Sequence, residues 1–524
     1  MRSYYAHLKT PDSVKKGYAK PTYRSSAIFP VINQPGISSR ILFMGYWILK
    51  RNIKEISQVV TLRSEDGKIL HRTNQIITEP KTYRIELKDY LAGAHIPEDT
   101  QFTGSLEVEF FSSQNFVFPF PATVINYYGP GFSSVVHTAQ RIYNDYEDML
   151  TNSQTAVPES GFNVYADDQH EPFFGLINGP LEVPEETIRM TFYNEKKETL
   201  THELNLGSLA PYAMRMVYPA RHVDLKAFLG GKVGAGKIQF KVNWAYPRLI
   251  VGNMDRSIPS LHITHTYYDC SNAKTDEDYW FAPEEGWYPA SLMVPVSLQE
   301  TRFTNVYFYP IYSPSTFDID VEIYNSEGKL LGSQKNFLRI VSPKEVTQTI
   351  NFKPLCQKLG IDTNQDLAAR LIAQAPEGQT IPSRIKIGFD LGHEKHLPCN
   401  ICTNLQPFNP ALESKPSTFR WSPVLTNERS PSLWLLNSSP KIHYDRQAGV
   451  DLTFFREKDS ETKTMKIVLP ANGFKVIRPN DIPELRDFFE GKIGWMTAVA
   501  NNPYTTTFYF VEHASGIVGG DHGF

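Results

Sequence analysis

A chain of 524 residues with 41% hydrophobic and 21% charged side chains is long enough for three or four domains, each able to bury a core without metals or disulfides. Its 13% aromatic residues and 37 prolines favour β-rich structure with many turns over helical bundles. A formal charge of -3, from 53 basic and 56 acidic residues, excludes a general attraction to nucleic acid or to an anionic membrane surface.

The N-terminal stretch MRSYYAHLKTPDSVKKGYAK reads as a solvated arm over residues 1–20 and has no apolar signal segment. No run of about eighteen apolar residues occurs anywhere, so we expect no membrane insertion and a soluble chain, cytoplasmic or exported without a Sec signal. Four cysteines without an export signal read as reduced thiols.

Along the chain, a strand ending in a charged hairpin and followed by a second strand recurs four times. The stretches are VVTLRSEDGKIL, RMTFYNEKKETL, VEIYNSEGKLL and VDLTFFREKDSET, and their marks Gly67, Lys196, Gly328 and Asp459 are 129, 132 and 131 residues apart. Each hairpin is followed by a short helical turn (LKDYL, LKAFL, KPLCQKL, ELRDFF) and then by a strand (GSLEVEFF, GKIQFKVNW, SRIKIGFDL, GKIGWMTAV). A short β-type run then reaches a His or Cys and opens into a polar loop: SSVVHTAQRIYND, LHITHTYYDCSNAKTDEDYW, CNICTNLQPFNP and YFVEHASGIVGGDHGF.

Short alternating strands with Gly, Pro and Asn turns at this period predict an all-β fold of four tandem β-sandwich units of immunoglobulin or jelly-roll type. The expected units are 21–150, 151–283, 284–427 and 428–524. Odd units carry Pro-Val in their opening apolar strand (Pro30, Val31 and Pro295, Val296), whereas even units carry Asn178 and Asn437, which suggests an ABAB internal duplication. One departure is expected at 361–379, where IDTNQDLAARLIAQAPEGQ has the Asn364 cap and the Pro376 and Gly378 stop of a helical insertion.

GKVGAGKI, Gly231 to Ile238, matches GxxxxGK but lacks the Ser or Thr that would reach Mg²⁺ and runs on as a strand, so no nucleotide site is expected. HEKHLPCNIC offers His393, His396, Cys399 and Cys402, yet the two pairs are too close in sequence to wrap one zinc ion, and on a strand the cysteines face opposite ways.

The more specific signal is the repeated donor position. His137, His265 and His513 each follow an apolar residue two places before, Val135, Ile263 and Val511, and Cys402 takes the place in unit three. Donors on the core-side face of a strand end can ligate metal, act as a base, or serve as structure. The candidate ligands are therefore His137, His265, Cys402 and His513, and zinc is the one cofactor these residue types suggest. In a bead-like array, equivalent positions about 35 Å apart share no ion. Only face-to-face pairing would bring His137 to His265, or Cys402 to His513.

Carboxylates and rings in the following loops, Asp145, Tyr267, Tyr268, Asp269, Tyr279 and Trp280, are candidates for binding a sugar through hydrogen bonds and stacking. The tail HASGIVGGDHGF places Asp521 and His522 on a glycine-rich terminus expected to be mobile. No GxSxG elbow is present.

Repeated sandwiches without a shared catalytic constellation predict a non-enzymatic binding or assembly protein linked to surface glycan or envelope, with a glycan or protein partner, self-association and no nucleic acid. Two readings compete: a metal-dependent enzyme with a site between units one and two, and a capsid- or tail-type structural protein.

Overall fold

The computed structural model describes residues 22–116, 121–137, 141–142, 155–242, 245–246, 249–268, 280–282, 284–341, 347–382 and 384–523. The arm 1–20 lies outside them. The fold is all-β: among the described residues 56% are strand, arranged in antiparallel sheets, and 9% are helix.

Two sheets open the described chain. One runs Tyr23–Asn33, Phe102–Ser112, Ile56–Ser64, Ile69–Ile77; the other runs Thr82–Glu86, Ser38–Met44, Thr123–Gly129, Phe132–Val136. In chain order this is first, sixth, third, fourth against fifth, second, seventh, eighth. Two-residue strands aside, the same order recurs from Thr155–Val164 to Ser260–His265, from Ala290–Val296 to Cys399–Pro407, and from Thr418–Leu425 to Val518–His522. In the third set the two sheets join into one of eight strands through Ala290 opposite Pro407 and Ser291 opposite Gln406. Thr418–Leu425 precedes the expected boundary at 428, yet it pairs along its whole length with Ile493–Ala500.

Inward-facing alternate residues of both sheets supply each core. In the first pair, Phe29, Ile41, Phe43, Val60, Leu62 and Leu106 pack in one cluster. The four helical turns are present at Leu87–Gly93, Leu225–Leu229, Phe352–Lys358 and Pro483–Phe489. Apolar residues three or four apart, such as Leu87 with Leu91 and Leu225 with Leu229, give each turn one buried face.

Odd and even sheet pairs differ in detail. In the first pair the Ser39 hydroxyl accepts from Ile32 N–H and donates to Ile32 C=O, and in the third the Thr304 hydroxyl does the same with Ser297. In the second pair the buried Asn178 amide donates to the carbonyls of Leu181, Leu209 and Ala210. In the fourth, Asn437 donates to those of Arg446, Leu469 and Pro470.

The expected helical insertion at 361–379 is corrected: its apolar run is the strand Leu367–Gln374, between Ala290–Val296 and Phe317–Tyr324. Leu367 to Ala373 are all buried, because a strand with a neighbour on each side and both faces covered requires consecutive apolar residues. That pairing outweighs the helix propensity of Leu, Ala and Arg. Arg370 is accommodated by donating to the carbonyls of Ser439 and Lys441. Leu367–Gln374 thus fills the sixth place of the third set, and Ile385–His393 the seventh.

Candidate metal centre

Each set ends in a hairpin whose second member we term the closing strand: Phe132–Val136, Ser260–His265, Cys399–Pro407 and Val518–His522. These four strands meet in a cycle. Ile263 N–H donates to Ser134 Oγ at 3.3 Å, Cys402 N–H to Thr264 Oγ1 at 3.0 Å, Cys399 Sγ to Gly520 C=O at 3.3 Å, and His137 N–H to Asp521 Oδ2 at 2.8 Å. The first and fourth approach closely: a Cβ on Gly519 would stand 2.0 Å from Ser133 C=O.

Three of the four strand ends bring donor side chains together. His137, His265, Asp521 and His522 each offer a ligand atom, and these atoms all lie within 4.8 Å of one another. The imidazoles stand edge to face, with ring centroids 4.7 Å apart for His137 and His265, 4.4 Å for His137 and His522, and 5.7 Å for His265 and His522. His137, His265 and Asp521 are buried and His522 is half-buried.

Each imidazole turns Nδ1 to an oxygen acceptor. For His137 it is Asp521 Oδ2 at 2.7 Å, for His265 the Thr266 carbonyl at 3.3 Å, and for His522 the Gly523 carbonyl at 3.4 Å. With the proton on Nδ1, the lone pair is on Nε2, which is the pattern of histidines oriented for a metal by an outer partner. Burial pushes the Asp521 carboxyl up, but the charges of His137 and His522 and the two His137 donors outweigh it and hold Asp521 below the ordinary carboxylate range. Its other oxygen, Oδ1, accepts from His522 N–H at 2.8 Å.

Imidazole and carboxylate donors suit zinc, whose ligand atoms lie about 2.0–2.2 Å from the ion and so about 3.3 Å from one another at tetrahedral angles. Reaching that geometry from a widest separation of 4.8 Å requires closure by up to about 1.5 Å.

The structure brings His137 and His265 together and sets Cys402 and His513 apart. His513 follows the strand Thr505–Glu512, at the hairpin turn, where its N–H donates to Ile517 C=O and its Nε2 lies 4.0 Å from Glu428. His522 is at the far end of that hairpin, opposite Phe508, about 14 Å along the strand from the turn. Cys402 packs with Tyr193, Ala235, Tyr307 and Tyr309, between the second and third sets. Cys399 and Cys402 do point to different surroundings, and GKVGAGKI continues into the strand Gly234–Val242.

Asp521 and His522, expected on a mobile tail, are instead pinned by pairing of Val518–His522 with Phe508–Glu512. Hairpin position was the available signal: His137 and His265 both finish the second member of a terminal hairpin, and the same place in the fourth set is His522. Of the ring-and-carboxylate candidates, Asp145, Asp269 and Tyr279 lie outside the described residues. Tyr267–Tyr268 forms a two-residue strand opposite Glu159 and Ser160, and the Trp280 ring lies 5.8 Å from that of Tyr312. Among the described residues no helix is long and apolar enough to cross a membrane.

No protein-family model matches the chain, and no curated protein matches it. Solved structures with local similarity include a calcium-binding mutant of Bacteroides uniformis β-glucuronidase 2, at 12% identity over 48% of this chain and 27% of that one, with a TM-score of 0.11. The same enzyme bound covalently to cyclophellitol-6-carboxylate aziridine matches at 11% identity, over 48% and 28%, with a TM-score of 0.10. A Bacteroides uniformis β-glucuronidase matches at 12%, over 45% and 27%, also at 0.10. The matched region is about a quarter of the length of those enzymes, and similarity of this degree carries no argument about fold or activity.

Proposed function

We propose that the chain is a metal-binding assembly protein in which a divalent transition-metal ion, zinc by donor chemistry, clasps the cycle of closing strands through His137, His265, Asp521 and His522. The observation that carries this reading is the convergence of ligand atoms from His137, His265, Asp521 and His522 within 4.8 Å of one another, with Nδ1 of each imidazole beside an oxygen acceptor. A structural role is favoured because three of the four donors are buried and four protein ligands would saturate a tetrahedral ion. We also read the recurring strand order as descent from one duplicated pair of sandwiches. The carbonyl-bonded asparagines of the even pairs and the doubly bonded hydroxyls of the odd pairs support that history.

Elemental analysis after zinc loading and dialysis tests the proposal. One ion per chain is expected in the parent protein, with none in His265→Ala. Asp521→Asn should weaken affinity by at least about 10-fold, because it removes an anionic ligand together with the acceptor that orients His137. Failure of the parent to retain any transition metal would sink the reading, as would full retention in both His137→Ala and His265→Ala.

A second reading, a metal-dependent enzyme, has one observation in its favour. Both Asp521 oxygens already accept N–H groups from His137 and His522, so the carboxylate could act as orienter only and leave a fourth coordination position for water. Cobalt substitution separates the two: a visible spectrum that shifts on adding thiocyanate marks an exchangeable position, whereas an unresponsive spectrum marks a closed clasp.

A further inference from the structure

Away from the closing strands' donors, the third and fourth sheet pairs enclose a cleft of about 350 Å³. That is within the range of small-molecule sites, about 300–1,000 Å³. Its floor is apolar and comes from both sides of the seam, with Leu391 from the third pair and Trp434, Phe510 and Val518 from the fourth. The Trp434 ring is fixed by stacking on Phe474 at 5.4 Å.

The walls carry charge that is already matched. Arg302 donates to Glu512 at 2.6 Å, and Arg478 donates to Asp366 at 2.6 Å, with Gln299 also donating to Asp366 at 3.2 Å. Two guanidiniums against two carboxylates leave no net field for an anion or a cation. A charged ligand would have to break one of these pairs and leave its partner charge at least partly desolvated. Exposed Ser430, Asn364 and Gln365 and half-buried Ser432 add hydroxyls and amides to the lining.

We infer that this cleft binds a neutral carbohydrate, a mono- or disaccharide unit, whose hydroxyls bridge the hydroxyl and amide rim and the paired charges while its apolar ring face rests on the floor. An apolar base with convergent, charge-balanced hydrogen-bonding groups suits a polyol better than a lipid, which would leave the rim unsatisfied, or a phosphate, which would meet Glu512 and Asp366. The inference does not depend on the metal centre: no proposed metal ligand lines the cleft.

Saturation-transfer NMR and calorimetry on the full chain, with methyl glycosides of glucose, galactose, mannose and N-acetylglucosamine plus maltose and cellobiose, provide the test. At least one of these should bind saturably. Ser432→Trp, which fills the cleft, should weaken that binding at least about 10-fold without changing zinc content. Asn364→Ala, at an exposed rim position that leaves the core untouched, should weaken it about 3- to 10-fold, the loss of one or two hydrogen bonds. Binding of none of the six probes would overturn the inference. So would equal binding in Asn364→Ala and in a folded Ser432→Trp, or preferential displacement of the sugar by glucuronate or inorganic phosphate.

Discussion

His262 sits three residues before His265 on the same closing strand, but its environment gives it a different task. Its Nδ1 donates to Pro398 C=O at 3.2 Å and its Nε2 lies 3.2 Å from Ser260 Oγ, with the ring buried at the seam with the third sheet pair. Burial lowers its pKa to about 4. The sign follows from linkage: the unfolded chain takes up a proton near pH 6.5 while the folded one stays neutral, so this residue costs stability as pH falls from about 6.5 to about 4. Asp390 works in the opposite direction. Burial raises its carboxyl to about 6, despite donation from Tyr165 OH at 2.6 Å and Asn400 Nδ2 at 2.8 Å, so it costs stability as pH rises from about 4 to about 6. Urea unfolding at several pH values should therefore show His262→Gln with a flatter loss than the parent between pH 6.5 and 4. Relative to the parent, Asp390→Asn should gain stability as pH rises from about 4 to about 6. Parallel parent and variant curves in either window would refute the corresponding assignment. At this scale the sequence was half legible. His137 and His265 could be found because each caps an apolar β-type run. His522 was hidden because its closing strand, VGGDH, spends two positions on glycine, and glycine there answers to the close approach of Ser133 and not to strand propensity.

Gly67 and Gly328, two of the marks by which the repeat could be read, also share a structural task. Both adopt positive φ, 79° and 75°, and both sit at a hairpin tip docked on the following sheet pair. There Met214 N–H donates to Glu65 C=O and Phe474 N–H to Ser326 C=O. A Cβ on Gly67 would stand 2.1 Å from Pro211 C=O, and one on Gly328 would stand 2.2 Å from Ala471 C=O. Backbone cannot yield as a side-chain tip can, so Gly67→Ala and Gly328→Ala should each cost on the order of 2 kcal/mol or more. The corresponding tip of the second pair is exposed, and Lys196→Ala should stay within about 0.5 kcal/mol. Equilibrium denaturation of the three variants checks this, and equal costs would remove the docking argument. Elements of this kind were legible because turn chemistry and short amphipathic turns are local. The strand Leu367–Gln374 was not, because a continuous apolar run is common to a buried helix and a central strand, and only its neighbours decide between them.

At the scale of the molecule, the decisive feature is that the sheet pairs do not behave as separate beads. Phe173, Ile250, Leu261 and Ile263 of the second pair join the core of the first. Tyr193 and Ala235 of the second pack with Tyr307, Tyr309 and Cys402 of the third. Phe389 of the third meets Phe508 and Phe510 of the fourth at 5.9 and 6.1 Å, and Leu42, Met44, Val124 and Val135 of the first lie in the core of the fourth. The apolar contacts thus follow the same cycle as the closing strands. An array of 35 Å steps, expected from period and domain size alone, ignores this because sequence periodicity says nothing of how the sheet pairs pack. Removing any one pair would expose apolar surface on two neighbours, so the free energy of opening one quarter is tied to the others. Calorimetric unfolding should accordingly give one main transition, with calorimetric and van't Hoff enthalpies close to each other and the same midpoint by tryptophan fluorescence and far-UV circular dichroism. If zinc occupies the proposed centre, chelation should lower that midpoint as a whole, since a ligand of the folded state stabilises every element that must fold to form its site. Two or more resolved transitions, or a chelator effect confined to one of them, would mean that the cycle is a contact surface between independent bodies and not the element that unites them.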